Sequence, residues 1–174
     1  MVDRAVGLGF THLAITDHDR IEGVLRARDH AGDRIAIIVG QEVTSPDGDL
    51  IALFVERTIP PGLSAMEAAS AVHEQGGLVG LPHPFDGLRA SGGSRADGTE
   101  DVLEQMADMV DYVETHNARA YRDANPKAAA FAATHGLPGV AVSDAHSLRE
   151  LGVAGTILAG DFSTASELLA LLPQ

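Results

Sequence analysis

The sequence predicts an α/β protein in which parallel strands form a barrel or a sheet wrapped by helices. Short apolar runs of strand length alternate along the chain with helix-length segments, which is the pattern of repeated βα units. Side chains that can bind metals follow several of the apolar runs. The carboxyl ends of parallel strands converge on one face, so such residues can meet there. No internal repeat or second domain is visible, and we expect one domain over residues 1–174.

The first half of the chain is expected to hold three helices and four strands. The helices cover 2–8, which Gly9 ends, about 21–31, and 64–75. The third has the clearest signals, because Ser64 and Glu67 form a capping box and Gly76-Gly77 stops it. Strands are expected over 12–16, 35–39, 50–55 and 78–81, with a turn at Pro46-Asp47-Gly48 between the second and third.

The second half continues the alternation. Thr99 is expected to cap a helix that runs to about Met109, followed by a strand over 110–113. Asn125-Pro126 opens a helix that Gly136 ends. Strands over 139–142 and 156–158 precede a final helix, which Thr164 caps together with Glu167.

Composition excludes several classes of function. The longest apolar runs are strand-sized, well below the ~20 residues that span a bilayer, and no signal-peptide pattern is present. The absence of cysteine excludes disulfides and zinc–thiolate sites, and it fits a cytoplasmic protein. A net charge of −13 would repel nucleic-acid phosphates, so long duplex nucleic acid is not an expected partner. Any metal must be held by histidine and carboxylate.

Five such side chains follow apolar runs and are candidate metal ligands: His18, Glu42, His83, Asp144 and His146. Imidazole and carboxylate suit Zn, Mn or Fe. Each residue alone is weak evidence, since a histidine after a strand is more often structural, and only the combination favours a metallohydrolase. Asp17 and Asp19 are expected to form the turn and orient the imidazole between them. The remaining histidines away from this face are expected to be structural or solvated: His12, His30, His73 and His135.

The ordered motifs resemble those of the PHP (polymerase and histidinol phosphatase) domain family. They are Thr16-Asp17-His18-Asp19, Gly40-Gln41-Glu42, Pro82-His83-Pro84, Glu114-Thr115-His116-Asn117 and Ser143-Asp144-Ala145-His146. The resemblance implies a distorted barrel of seven βα units and metal-dependent hydrolysis of phosphoesters with two or three ions. It also implies that His18 and His146 share one ion, that Asp144 holds a second, and that Glu42 bridges to a third, which His83 completes. Asp49 stands where the family often supplies another histidine, either as an oxygen ligand or as a turn residue only.

The resemblance also implies a departure at the front of the chain. Family members begin with a strand that carries a His-x-His pair, soon followed by a Ser-Asp-Gly or similar motif, and neither is present here. We therefore expect the first barrel strand to be missing, through a misplaced start codon rather than a genuine fragment. Such a truncated chain need not be active by itself.

The leading functional hypothesis is a phosphoesterase that hydrolyses a nucleotide, short oligonucleotide or sugar phosphate through a metal-bound hydroxide. Asp144 is the candidate catalytic residue, since it can pass a proton between nucleophile and leaving group. His116, Asn117 and Arg119 are candidate substrate-binding residues. His116 follows Glu114 by two positions, so we expect both side chains to point to one side of a strand and to line the pocket. Arg89 and Arg95, in the loop 86–98, could grip a phosphate, but a surface role is the stronger expectation.

Two alternatives from other classes stay open. One is a non-catalytic PHP module with an incomplete metal site, and the other is an amidohydrolase-type enzyme that cleaves C–N bonds. Metal binding separates the first from a phosphoesterase, and a panel of phosphoesters against amides separates the second. The sequence leaves the substrate, the physiological ion and the oligomeric state open.

Overall fold

The computed structural model describes residues 1–86, 99–121 and 123–173, and it has the predicted α/β architecture. Six strands form one curled sheet in the order β1-β2-β3-β4-β5-β6. Their bounds are β1 His12–Ile15, β2 Ala36–Val43, β3 Leu50–Leu53, β4 Leu78–Leu81, β5 Tyr112–Asn117 and β6 Gly139–Val142. Arg89 and Arg95, the loop arginines singled out in the sequence, lie outside the described residues.

The sheet is mixed rather than wholly parallel. β1 pairs with β2, β4 with β5, and β5 with β6 in parallel, whereas β3 is antiparallel to both β2 and β4. The all-parallel prediction is wrong at β3, because only the turn around 44–49 joins it to β2 and a parallel pair needs a crossover of a dozen or more residues. The described sheet ends at β1 and β6, so the closed seven-unit barrel stays a prediction.

The helices follow the sequence signals closely. Ser64 and Thr164 each form the predicted capping box, with Glu67 and Glu167 respectively, and Gly136 takes the left-handed conformation that ends its helix. The helices are α1 Val2–Gly7, α2 Glu22–Ala31, α3 Ala65–His73, α4 Thr99–Ala107, α5 Ala124–His135 and α6 Ala165–Leu171. Among the residues described, no helix has the length and apolar character that a bilayer crossing requires.

One predicted strand is absent. Residues 156–158 are irregular, and the hydroxyl of Thr156 occupies the free edge of β6. Its Oγ1 accepts from the backbone N of Ala141 at 2.9 Å and donates to the carbonyl of the same residue at 3.0 Å. This side chain therefore satisfies both backbone groups of Ala141, which a seventh strand would otherwise pair.

The sheet has an apolar layer on each face. Side chains such as Val79 and Val113 pack outward against α2, α3, α4 and α5. On the inner face, Leu168 of α6 and Leu172, which directly follows α6, pack against the amino ends of the parallel strands, on residues that include Ile38, Leu78 and Tyr112. Apolar side chains of α6 thus pack into one end of the curled sheet, and the polar residues lie at the other end.

Candidate metal centre

All five ligand-type side chains of the sequence prediction border one cavity of about 620 Å³ on the inner side of the sheet. Its lining includes His18, Glu42, His83, Asp144 and His146. The cavity also reaches Glu114 of β5, which was expected to line the pocket but is not among the candidate ligands. Residues separated by up to 128 positions are thus brought to one end of the fold, at the carboxyl ends of the parallel strands.

The loop that carries His18 is joined to the end of β2 by backbone hydrogen bonds. Glu42 N donates to the Asp17 carbonyl at 3.2 Å, and Asp19 N donates to the Glu42 carbonyl at 2.9 Å. The Asp19 carboxylate accepts from Thr44 N at 2.9 Å, and its φ of 55° is the left-handed value expected of an aspartate turn. These bonds place the His18 ring beside the Glu42 carboxylate. Asp17 and Asp19 therefore form the turn, as the sequence predicts.

Glu42 lies between two imidazoles. His18 Nε2 is 3.5 Å from Glu42 Oε2, and His83 Nε2 is 3.5 Å from Glu42 Oε1. These separations exceed the usual 2.7–3.2 Å of an N–H···O hydrogen bond. Two ligands bound at about 2.1 Å to one tetrahedral ion lie about 3.4 Å apart, so the spacing suits atoms that share a cation.

A hydrogen bond from its own backbone N–H fixes the position of His83. It is buried at 6% exposure, and its N–H donates to the Glu114 carboxylate at 2.9 Å. Its φ of 27° lies in the left-handed region, as does the φ of 68° at Phe85. Backbone strain of this kind persists only where surrounding contacts fix it, and it concentrates at functional sites.

A β-bulge in β5 positions Glu114 and Asn117 in the site. The register with β6 shifts between Glu114 and His116, so Thr115 is an extra residue in the ladder. Glu114 and Asn117 come to the same side, where Asn117 Nδ2 donates to Glu114 Oε2 at 2.9 Å and to Asp144 Oδ2 at 3.1 Å. His116 instead is exposed and lies 3.5 Å from Asn125 of α5. The expectation that Glu114 and His116 share a face of the strand is wrong, because simple alternation does not cross a bulge.

The sequence places Glu114 at the pocket but does not reveal that its carboxyl is buried and hydrogen-bonded. Glu114 is 7% exposed, and burial raises the pKa of its carboxyl, while the hydrogen bond from Asn117 and the neighbouring His83 oppose the rise. A carboxylate two residues after a strand start gave only a weak signal. The burial and the Asn117 partner both depend on the bulge, which the sequence does not reveal.

The Asp144–His146 segment is fixed by Glu150. Glu150 Oε2 accepts from His146 N at 3.0 Å and from Ser147 Oγ at 2.8 Å, and Oε1 accepts from Arg119 Nη1 at 2.6 Å. His146 Nδ1 donates to the Asp144 carbonyl at 3.0 Å, which leaves Nε2 with its lone pair for another partner. Metal-ligating histidines commonly bond the second ring nitrogen in this way. Arg119 thus braces this loop, and its predicted role in substrate binding stays a prediction.

Two observations qualify the ligand set. Asp49, directly before β3, is 4% exposed and is not among the cavity-lining residues, so its role as an oxygen ligand stays a prediction. Within the described ranges, no three His, Asp or Glu side chains converge on a single point in the manner of a closed three-ligand site. The donors instead occur as Glu42 with its two imidazoles and as the pair Asp144 and His146.

Known proteins and a known family model resemble this chain in sequence. A family model described as PHP-associated matches residues 122–173. An uncharacterized protein of Methanocaldococcus jannaschii is 34% identical over 144 residues, which are 81% of this chain and 55% of the relative. A second uncharacterized protein of that organism is 34% identical over 88 residues, 50% of this chain and 52% of the relative. The chain spans about half the length of both curated relatives.

Solved structures share the fold. PsfC from Pseudomonas syringae superimposes with a TM-score of 0.71 at 19% identity, over 98% of this chain and 78% of that one. A Bifidobacterium adolescentis protein named as a metal-dependent phosphoesterase gives 0.67 at 17% identity, over 98% and 88%. A two-domain Bacteroides vulgatus protein, which contains a predicted PHP-like metal-dependent phosphoesterase, gives 0.67 at 19% identity, over 86% and 47%. The chain therefore resembles PHP proteins in its C-terminal residues 122–173 and shares the fold of solved structures that contain a PHP-like domain.

Proposed function

We propose that this chain forms the metal-binding site of a phosphoesterase that hydrolyses a small phosphate ester, such as a nucleotide, a short oligonucleotide or a sugar phosphate. The observation that carries the proposal is the Glu42 carboxylate, whose two oxygens each lie 3.5 Å from a different imidazole at the edge of a cavity. The names of two structural neighbours, each of which describes an inferred metal-dependent phosphoesterase, support the same class of reaction.

The donors fit divalent cations. Imidazole nitrogen and carboxylate oxygen suit Zn, Mn or Fe, and the second ring nitrogen of His146 is bonded as it is in many metal-ligating histidines. Two or three ions would be held by His18, Glu42, His83, Asp144 and His146. Bound cations would polarise the phosphoryl oxygens and offset the negative charge that develops on them.

The protein's own groups would position the substrate and move a proton. Asp144 lies 16% exposed on the cavity wall, where its Oδ2 accepts a hydrogen bond from the buried Asn117. That bond fixes the carboxylate, which could then accept a proton from the attacking water and return it to the leaving oxygen. The apolar inner face below it, closed by α6, would limit water to the polar end of the cavity.

The test is an activity panel on the metal-loaded chain. The protein is stripped with a chelator, loaded with Mn²⁺ or Zn²⁺, and assayed on phosphomonoesters, phosphodiesters and amides. We expect metal-dependent phosphate release, lost in Glu42→Gln and retained in Glu74→Gln, which removes an equal charge at the exposed end of α3. Hydrolysis of amides alone would favour the C–N hydrolase, and metal binding without any turnover would favour a non-catalytic module.

A further inference from the structure

We propose that Arg20 and Arg26 form an anion-binding subsite beside the metal centre, for an anionic group of the substrate other than the phosphate that is hydrolysed. The substrate part of this inference rests on the proposed function. The anion-binding part does not, and it can be measured without metal or turnover.

The subsite is a separate concave surface that shares a wall with the main cavity. An open hollow of about 340 Å³ is lined by Asp17, His18, Arg20, Gly23 and Arg26. Asp17 and His18 also line the main cavity. A ligand held near His18 therefore lies next to the hollow, and a second group on the same molecule can enter it.

Both arginines are available to a ligand. Arg20 and Arg26 are exposed, and neither forms an ion pair or side-chain hydrogen bond with any residue that the structure describes. Arg34 and Arg119, in contrast, are engaged, since Arg34 bonds Asp3 at 2.7 Å and Arg119 bonds Glu150 at 2.6 Å. With 25 acidic residues and only 12 basic ones, two unengaged guanidinium groups at one hollow are a local reversal of the chain's charge.

The hollow lies where the chain enters α2. Gly23 and Arg26 are three positions apart on α2 and are neighbours on its surface, whereas Arg20 lies two residues before the helix begins. Gly23 allows the Asp17 carboxylate to approach this turn, because a Cβ at that position would collide with the carboxylate. The planar guanidinium of each arginine can bond two oxygens of a phosphate or carboxylate.

Asp17 is the one acidic residue among those that line the hollow. Its Oδ2 lies against Gly23 in the first turn of α2, where the helix dipole favours a carboxylate. It also lies beyond 4.0 Å from both guanidinium groups, since no ion pair joins them. The arginine charges are therefore left for an incoming anion.

The first experiment measures binding of inorganic phosphate to the metal-free chain at low salt by calorimetry. Without metal, the main cavity is lined by carboxylates and repels the probe. We expect Arg20→Gln and Arg26→Gln each to weaken phosphate binding about tenfold. Arg28→Gln is the control, since Arg28 is exposed on the same helix but does not line the hollow. No binding by the unsubstituted chain, or an equal loss in Arg28→Gln, overturns the subsite.

The second experiment tests whether the anion belongs to the substrate. Phosphate release by the metal-loaded chain is compared for glucose 6-phosphate and glucose 1,6-bisphosphate. We expect kcat/KM to favour the bisphosphate, with the preference reduced about tenfold in Arg20→Gln and Arg26→Gln and kept in Arg28→Gln. Phosphate binding with an unchanged preference would assign the hollow to a free anion and overturn the substrate role. Absence of turnover on every phosphoester overturns the proposed function instead, and the binding result still decides whether the anion site exists.

Discussion

The two sides of the candidate centre differ in how firmly the protein holds them. On one side, His83 and Glu114 are 6% and 7% exposed and are joined by a backbone-to-carboxylate hydrogen bond. On the other side, the rings of His18 and His146 are each 59% exposed. The closed side fixes geometry before any ligand arrives, and the open side gives ions and substrate a way in.

Different local structures produce this contrast. The closed side stands on β4 and the bulged strand β5, which are covered by α4 and α5. The open side stands on loops that follow the two edge strands, β1 and β6. Edge strands have a neighbour on one side only, so residues beyond their ends remain accessible. Glu42 and Asp144 lie where the two sides meet, and substitutions there should have the largest effects.

Asp144→Asn is the substitution with the largest expected effect. Asparagine has the same shape as aspartate, and its amide oxygen can still accept the hydrogen bond from Asn117, but it cannot accept and release a proton. We expect turnover of a phosphoester to fall about 100- to 10,000-fold, while the melting temperature changes little. Steady-state kinetics with circular dichroism measure both. Near-normal turnover would remove Asp144 from the proposed proton transfer.

Glu42→Gln is expected to act on metal binding. Both oxygens of Glu42 face imidazoles, and an amide would replace one oxygen with a hydrogen-bond donor that cannot coordinate. We expect affinity for Zn²⁺ or Mn²⁺ to fall about 10- to 100-fold, measured by competition with a chromophoric chelator. Glu74→Gln should leave affinity unchanged. Equal affinities in both variants would mean that the two 3.5 Å contacts are ordinary ion pairs.

A matched pair of histidine substitutions tests the contrast directly. In the metal-free chain, His83→Ala removes a buried ring and should lower the free energy of unfolding by about 2 kcal/mol. His18→Ala removes an exposed ring and should change it by less than about 0.5 kcal/mol. Urea denaturation measures both. Equal losses would show that the open side is as firmly held as the closed one.

The closed side is also where sequence reasoning is weakest. The capping boxes of α3 and α6, and the ligand-type residues at strand ends, depend on local chemistry and could be predicted. The antiparallel placement of β3 and the bulge at Thr115 depend on the pairing of distant strands. For that reason the burial of Glu114 was not predicted, and His116 was placed on the same face of the strand as Glu114.

The smallest expected effect concerns the pH dependence of stability on the closed side. Burial raises the pKa of Glu114 above its ordinary value of 4.5, so the folded chain holds this proton to a higher pH than the unfolded chain does. The stability that Glu114 contributes is therefore fully present below about pH 4.5 and is lost as pH rises through the folded pKa. Glu114→Gln does not titrate, and its amide oxygen can still accept the bonds from His83 N and Asn117.

In the metal-free chain we therefore expect Glu114→Gln to match the unsubstituted chain near pH 4 and to become progressively more stable than it towards pH 8. Urea denaturation at four pH values measures the difference, with Glu74→Gln as the exposed control, whose curve should run parallel to that of the unsubstituted chain. Parallel curves for Glu114→Gln as well would mean that water or local rearrangement solvates this carboxylate. The closed side would then be less closed than its burial indicates, and the contrast between the two sides would reduce to the exposure of the histidine rings.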